Sequence, residues 1–320
     1  MKKLVFLIAA SVLFPIAMQA MDALFYVSLA SRILIYAIAA TSLNLALGYG
    51  GMVSFGHAAF FGAGAYVVGI LAVEGVRSAW IAWPAGIAVA ALAAALIGAL
   101  SLRTRGVYFI MITLAFAQMI YYVFVSLKSY GGDDGLPMPG RSSVGFAIDL
   151  ANDVTWYYVV LALLALVLYL LHRLARSRFG RVIEAIRDNE ARAEAIGFPV
   201  YRYQLLCFVI SGAAAGLAGV LIANQANYVG PSVLHWIQSG TLMIMVILGG
   251  IGRLWGGVIG AAVLLVLEHL ITDYRIDWLA ALAPNYQEHA GLGVGIVLLV
   301  IVLFAPQGIA GLLERKRAAA

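Results

Sequence analysis

The side chains able to do chemistry in this chain are few and poorly arranged for catalysis. The five histidines are His57, His172, His235, His269 and His289. No two share a predicted helix at a useful spacing, so they do not form the facing pairs that hold haem inside a bundle. The single cysteine, Cys207, lies in an apolar run, which leaves neither a disulfide framework nor a CxxC metal site. A P-loop places a lysine after a glycine-rich turn so that it reaches the phosphates. None of Lys2, Lys3, Lys128 and Lys316 follows a glycine. A proton-coupled carrier keeps carboxylates at mid-membrane depth, where a buried charge is costly and therefore functional. Glu268 alone lies well inside an apolar stretch, near its outer end and beside His269. These residues predict no catalytic group, no metal and no cofactor. If the chain moves a solute, the energy comes from a partner.

The elements around these residues read as membrane helices. Hydrophobic residues make up 64% of the chain and charged residues 11%, against roughly 25% charged in a soluble domain. Apolar stretches recur from end to end without the strict alternation of a β-barrel. In lipid the backbone satisfies itself only as helix or closed barrel. The fold class expected is an all-α membrane protein of about ten transmembrane helices. The spans predicted are 4–21, 25–47, 57–73, 80–101, 107–127, 155–172, 203–223, 237–250, 255–271 and 290–305. Residues 1–20 also resemble a secretory signal peptide, and the reading preferred is an uncleaved first helix. With the N-terminus in the cytoplasm, only Arg77, Lys128, Arg141 and Arg275 reach the outer loops and Arg32 lies in a helix; the remaining Lys and Arg are cytoplasmic. The positive-inside rule then puts both termini in the cytoplasm. This placement also accounts for the net charge of +5 without nucleic acid. The whole of 1–320 reads as one transmembrane domain, with outer loops at 128–153 and 272–290 and a cytoplasmic loop at 173–202.

Two glycine-rich segments interrupt the apolar pattern. One is Gly48-Tyr49-Gly50-Gly51-Met52-Val53-Ser54-Phe55-Gly56-His57, and the other is Gly249-Gly250-Ile251-Gly252-Arg253-Leu254-Trp255-Gly256-Gly257. Clustered glycines permit an unwound or re-entrant backbone, and interrupted helices in both halves of a transporter point to its solute path. A simple turn between two helices is the competing reading for each. A five-plus-five inverted repeat fits the helix count. Small residues such as Ala93-Ala94-Ala95 and Gly212-Ala213-Ala214-Ala215-Gly216 with Gly219 allow close helix packing.

The cytoplasmic loop contains strong helix formers over 181–197. Ile183, Ile186 and Ala193 fall near one face, and Glu184, Arg187, Asp188, Arg192 and Glu194 lie largely elsewhere. Asp188 and Arg192 are spaced for a helical ion pair, and Gly197 with Pro199 ends the helix. Its mixed charge favours a protein partner over a lipid surface, whose helices carry mainly Lys and Arg.

These segments together resemble a known family. Leu43-Asn44-Leu45, Gly48-Tyr49-Gly50-Gly51, Ser54-Phe55-Gly56-His57-Ala58-Ala59-Phe60-Phe61-Gly62 and Arg105-Gly106-Val107-Tyr108-Phe109 carry the resemblance. So do Thr113-Leu114-Ala115-Phe116-Ala117, Gly131-Gly132-Asp133-Asp134-Gly135-Leu136 and Pro306-Gln307-Gly308. The chain is similar to LivM-type permease subunits of ABC importers for branched-chain amino acids. The resemblance implies the bacterial inner membrane and a heteromeric importer. Its other parts would be a second permease subunit of LivH type, two ABC ATPase subunits and a periplasmic solute-binding protein. It identifies 181–197 with the ATPase-coupling loop, assigning that role to Arg181, Ile183, Glu184, Ile186, Arg187, Asp188, Glu190, Glu194 and Gly197. Position beside the glycine-rich break and polarity in an apolar setting nominate Asn44, Ser54, Phe55, His57, Phe60, Thr113 and Gln118 for the solute path. Departures at Gln118, Asp133, Arg253 and Gly257 bear on the solute, expected to be leucine, isoleucine or valine. The alternatives are a permease for urea, a short amide or an aromatic acid, and a stand-alone secondary carrier.

Overall fold

The computed structural model describes residues 11–19, 21–145, 149–273, 290–305 and 307–311. Most of the 272–290 loop, the first ten residues and the last nine fall outside that set. Residues 11–19 are helical, within the first predicted span. There follow α1 (Leu24–Asn44), α2 (His57–Val73), α3 (Ala79–Ser101), α4 (Val107–Ser126) and α5 (Asp153–Ala175). The second part holds α6 (Arg178–Asp188), α7 (Glu190–Ala195), α8 (Val200–Ala226), α9 (Trp236–Gly249), α10 (Gly256–Asp273) and α11 (Ala290–Phe304). Among the described residues, five helical stretches are long and apolar enough to cross a membrane: Leu24–Tyr49, Ala79–Ser101, Val107–Ser126, Asp153–Ala175 and Val200–Ala226. Four shorter apolar helices lie between and after them.

Helix ends differ from the sequence expectation where local chemistry moves them. Helix α5 starts at Asp153 because the Asn152 side chain accepts the Val154 amide at 2.8 Å, satisfying one of the free amides of a first turn. Helix α8 starts immediately after Pro199, whose fixed φ suits a helix entry.

The bundle is organised around α8, which packs against α1, α2 and α3. Helix α1 in turn carries α10, α5 and α9, while α2 pairs with α3 and α9 with α10. Helix amphipathicity contributes little here, because lipid is as apolar as a side-chain core. Close packing drives association instead. The α2–α8 contact shows how close: a methyl group built on Gly219 would overlap the Phe61 carbonyl, and one on Gly64 would overlap the Gly216 carbonyl. Trp156, Tyr66, Phe60, Phe61 and Phe208 are among the largest fully buried side chains.

The two ends of the bundle differ in chemistry. One end gathers the loop after α1, the α3–α4 turn with Arg103 and Arg105, helices α6 and α7, and the α9–α10 turn with Arg253. We call it the basic end. At the opposite end a two-residue strand β1 (Leu136–Pro137) pairs antiparallel with β2 (Tyr228–Val229), tying the loop after α4 to the segment after α8. The same end is braced by Arg141, which donates to the Leu150 carbonyl at 2.8 Å, pairs with Asp153 at 2.5 Å and lies over the Trp156 ring. Leu136, Pro137 and Arg141 of the predicted outer loop are therefore tied into the bundle.

The helix contact yields a prediction. Replacing Gly219 with alanine forces α2 and α8 apart, at a cost of about 1–3 kcal/mol as for other overpacked sites. Its thermal unfolding midpoint in detergent should fall clearly below that of the parent. Gly295→Ala, whose new methyl meets no atom within 4 Å, should leave the midpoint unchanged.

Candidate solute path and coupling site

Helix α1 does not end as an α-helix. Its last turn, Leu45–Tyr49, is a π-helix, and Gly50 donates to the Leu45 carbonyl at 3.1 Å. Residues 50–56 are non-helical, and α2 begins at His57. The glycine-rich segment is thus more than a turn. It climbs back into the bundle, because His57 Nε2 lies 2.8 Å from the Ser211 hydroxyl and Ser211 donates to the Ser42 carbonyl. Ser42 is seven residues before Tyr49, or about 10 Å along a helix. The single Ser211 proton is spent on Ser42, so His57 donates through Nε2–H. The ring is fully buried, with Phe60 and Phe208 at 5.4 and 5.8 Å between centroids.

The re-entrant backbone is satisfied by a side chain of its own and by side chains from two helices. The Gly56 amide donates to the Ser54 hydroxyl at 3.0 Å. The Phe55 amide donates to Thr113 Oγ1 on α4 at 3.3 Å. Ser239 on α9 accepts the Ala58 amide and donates to the Phe55 carbonyl, each at 2.7 Å. The Phe55 ring lies 6.2 Å from Trp236, the first residue of α9. Two short helices, α2 and α9, therefore begin beside each other inside the bundle.

Open space lies on both sides of this junction. Toward the end braced by Arg141 is a cavity of about 530 Å³, lined by Tyr121, Asp133, Tyr228, Ser232, His235 and Gln238 among others. Toward the basic end is one of about 200 Å³, whose walls include Gly51, Val53, Arg105, Phe109, Ile110 and Gln204. Helix α4 lines both, through Ile110 and Tyr121. These are eleven residues apart, or about 16 Å of helix, and Thr113 lies between them.

The nominated residues separate into groups. Ser54, Phe55 and Thr113 meet at the junction. His57 and Phe60 turn away from it, toward Phe208 and Ser211 on α8. Half-buried Gln118 lies farther along α4, its Oε1 buried without a hydrogen-bond partner. Asn44 lies near the basic end, where its amide donates to the Arg253 carbonyl at 2.6 Å and accepts the Gly252 amide at 2.9 Å. Asn44 thereby joins the two glycine-rich segments, read from sequence as separate features. A side chain on Gly48 would collide with both Asn44 and Gly252. Sequence reasoning missed Ser42, Ser211, Ser239 and Trp236. The signal available was the same one used for Thr113, a lone polar residue in an apolar run.

The loop at the basic end contains two helices rather than one. Asn189 is extended, ending α6 and capping α7 by accepting the Arg192 amide at 2.9 Å. The break prevents the expected Asp188–Arg192 pair. Asp188 instead pairs with Arg187 at 3.0 Å, and Glu190 pairs with Arg105 at 3.0 Å. Ile183, Ile186 and Ala193 are buried, at 2%, 2% and 3% exposure, on the face expected to be apolar. Glu184 and Arg181 border a further cavity with Tyr49. Arg187 donates to the Gly48 carbonyl at 2.7 Å, so α6 is bonded directly to the π-turn. Gly197 closes the segment at φ +98°, and Ile196 beside it is 70% exposed.

Comparison with known proteins gives this architecture a context. The family model for the branched-chain amino acid transport system permease component matches residues 25–304. The high-affinity branched-chain amino acid transport system permease protein LivM of Escherichia coli K12 is 28% identical over 96% of this chain and 75% of its own length. LivM of Salmonella typhimurium is 28% identical over 88% of this chain and 69% of its own. LivH of Escherichia coli K12 is 26% identical over 86% and 91%. No solved structure matches. A match over nearly all the described helices places the chain in one family: it is a multi-pass membrane protein belonging to the branched-chain amino acid transport system permease components.

Proposed function

We propose that this chain is the pore-forming subunit of an ATP-driven importer for leucine, isoleucine and valine in the bacterial inner membrane. The observation that carries the reading is the junction at Phe55 and Trp236, where two broken helices meet between a cavity on each side. Such a constriction, relieved from one side at a time, is what alternating access requires. Helices interrupted near mid-depth aim their N-terminal amides at anionic groups, and an amino acid carries a carboxylate. The names of the LivM and LivH relatives support the substrate class. They also support a pair of permeases, and two ATPase subunits and a periplasmic binding protein complete the proposed assembly. The basic end is cytoplasmic in this reading, as are both termini.

The proposed architecture is ten helices in a five-plus-five inverted repeat. The segment at 11–19 corresponds to α5, α1 to α8, α2 to α9, α3 to α10 and α4 to α11. Helix α3 packs on α8 as α10 packs on α1. The short helices α2 and α9, of 17 and 14 residues, each follow an irregular segment after a long helix.

Coupling enters through α6 and α7. Ile183 and Ile186 seat α6 on the bundle, while Asp188, Glu194, Ile196 and Gly197 are exposed for the ATPase. Arg187 links α6 to Gly48, seven residues before Phe55. A shift of α6 would therefore pull on the segment that carries one side of the constriction.

Three outcomes test this reading. In proteoliposomes holding both permeases and the ATPases, leucine uptake should require ATP and the binding protein; uptake by this chain alone without nucleotide would instead mean a secondary carrier. Arg187→Ala removes a charge-assisted hydrogen bond of about 1.5–3 kcal/mol, so uptake per ATP hydrolysed should drop about tenfold or more while ATPase activity persists. Phe55→Ala with Trp236→Ala removes a ring pair of about 0.5–1.5 kcal/mol. It should raise leucine leak down its gradient without ATP by up to about tenfold.

A further inference from the structure

The basic end holds a cavity that neither the solute path nor the coupling bond uses. It measures about 720 Å³ and opens between the end of α5, the start of α6 and the turn before α10. Its basic lining comes from three separate places: His172 on α5 with Arg176 just past its end, Arg181 on α6, and Arg253 in the α9–α10 turn. Glu184 is the acidic residue facing them. Among the described residues, neither Arg176 nor Arg181 has a carboxylate at ion-pair distance. Arg176 Nη1 contacts His172 Nε2 at 3.4 Å, and Arg253 donates to the Gln307 carbonyl at 2.6 Å. Bringing Arg176 and Arg181 together at a cavity whose described lining offers Glu184 as its acid costs free energy through repulsion, which a bound anion would offset.

The cavity's depth points to the source of that anion. His172 and Arg176 lie where α5 ends, and Trp255, 47% exposed, immediately precedes α10. Apolar helices emerge from the bilayer at this level, where Trp and Tyr sit among headgroups; Tyr49 and Trp255 both line the cavity. Helices α5 and α10 each pack on α1 but barely touch each other. Both helices expose apolar side chains, Leu166 and Leu170 on α5 and Val266 and Leu270 on α10, a surface of the polarity that suits an acyl chain. Basic pockets between transmembrane helices on the cytoplasmic side suit anionic headgroups, and guanidinium binds phosphate with paired hydrogen bonds.

We infer that this cavity is a binding site for the phosphate of an anionic glycerophospholipid, held by Arg176 and Arg181 with Arg253 and His172 and its acyl chain lying between α5 and α10. The bound phosphate fastens the start of α6 to α5 and to the α9–α10 turn. Arg181 then serves lipid rather than the ATPase surface. The inference requires only a membrane chain with this geometry, so it stands or falls apart from the proposed transport activity.

The test uses the purified full chain without its partners, which removes the ATPase as an occupant. The chain is reconstituted in nanodiscs of phosphatidylcholine containing a minority of phosphatidylglycerol. Lipids retained after extraction are then counted by native mass spectrometry. The parent should retain phosphatidylglycerol over phosphatidylcholine, and Arg176→Gln with Arg181→Gln should lower that preference about tenfold, from about a several-fold effect per cation. Arg103→Gln, an exposed cation outside the cavity, should not change it. Arg176→Lys, which keeps the charge and loses the paired bonds, provides a milder variant should the double change fail to fold. No preference in the parent would overturn the inference, as would an unchanged preference in the folded arginine variants. Displacement of the retained lipid by millimolar inorganic phosphate would also overturn it, since the site would then take a free anion.

Discussion

A backbone that leaves the helix inside a bilayer exposes amides and carbonyls that water cannot reach, and each must find a partner in protein. That requirement organises this molecule. The unwound stretch before α2 survives because Ser54, Thr113 and Ser239 take up its polar groups, the first from the stretch itself and the others from α4 and α9. The turn before α10 survives because Asn44 supplies both an acceptor and a donor to Gly252 and Arg253. Every helix contributing such a group is thereby held to the break. The packing of α2 and α9 follows from the hydrogen bonds as much as from their apolar surfaces.

Close approach is the second condition. Side chains as short as serine can reach a neighbouring backbone only if the helices nearly touch, which the glycines and alanines of α2, α3 and α8 allow. Bulk placed along α8 would do more than strain one contact. It would lift Ser211 from His57 and Ser42, leaving buried polar groups unsatisfied at a cost of about 1–3 kcal/mol each. Packing and polar satisfaction are therefore coupled in this fold.

Much of this was legible in the sequence, for identifiable reasons. Helix positions follow from apolar runs long enough to cross a bilayer, and the starts of α5 and α8 shifted where Asn152 and Pro199 supplied a cap and an entry. The break at 48–56 was visible as clustered glycine. What remained hidden is pairwise: nothing in one strand of text says that Asn44 reaches Gly252 across two hundred residues, or that Ser239 serves Phe55. His57 was conspicuous as a polar residue beside the glycine-rich break, but the sequence did not say that its ring lies against α8 with Phe60 and Phe208 beside it. The split at Asn189 was missed because the residues on either side are strong helix formers. Asn189 acts through its cap, which propensity alone does not weigh.

The π-turn at Leu45–Tyr49 is in effect one residue more than an α-helix of the same rise would hold. Point substitutions leave that extra residue in place, whereas a deletion of a single residue within the turn would let it relax to ordinary α geometry. Each residue of α-helix advances the chain by about 100° around the axis. The strand of backbone leading to Phe55 would then leave α1 on a different side, facing away from Trp236 and Thr113. Chain length over this one turn, more than the identity of its side chains, sets the direction in which the chain re-enters the membrane.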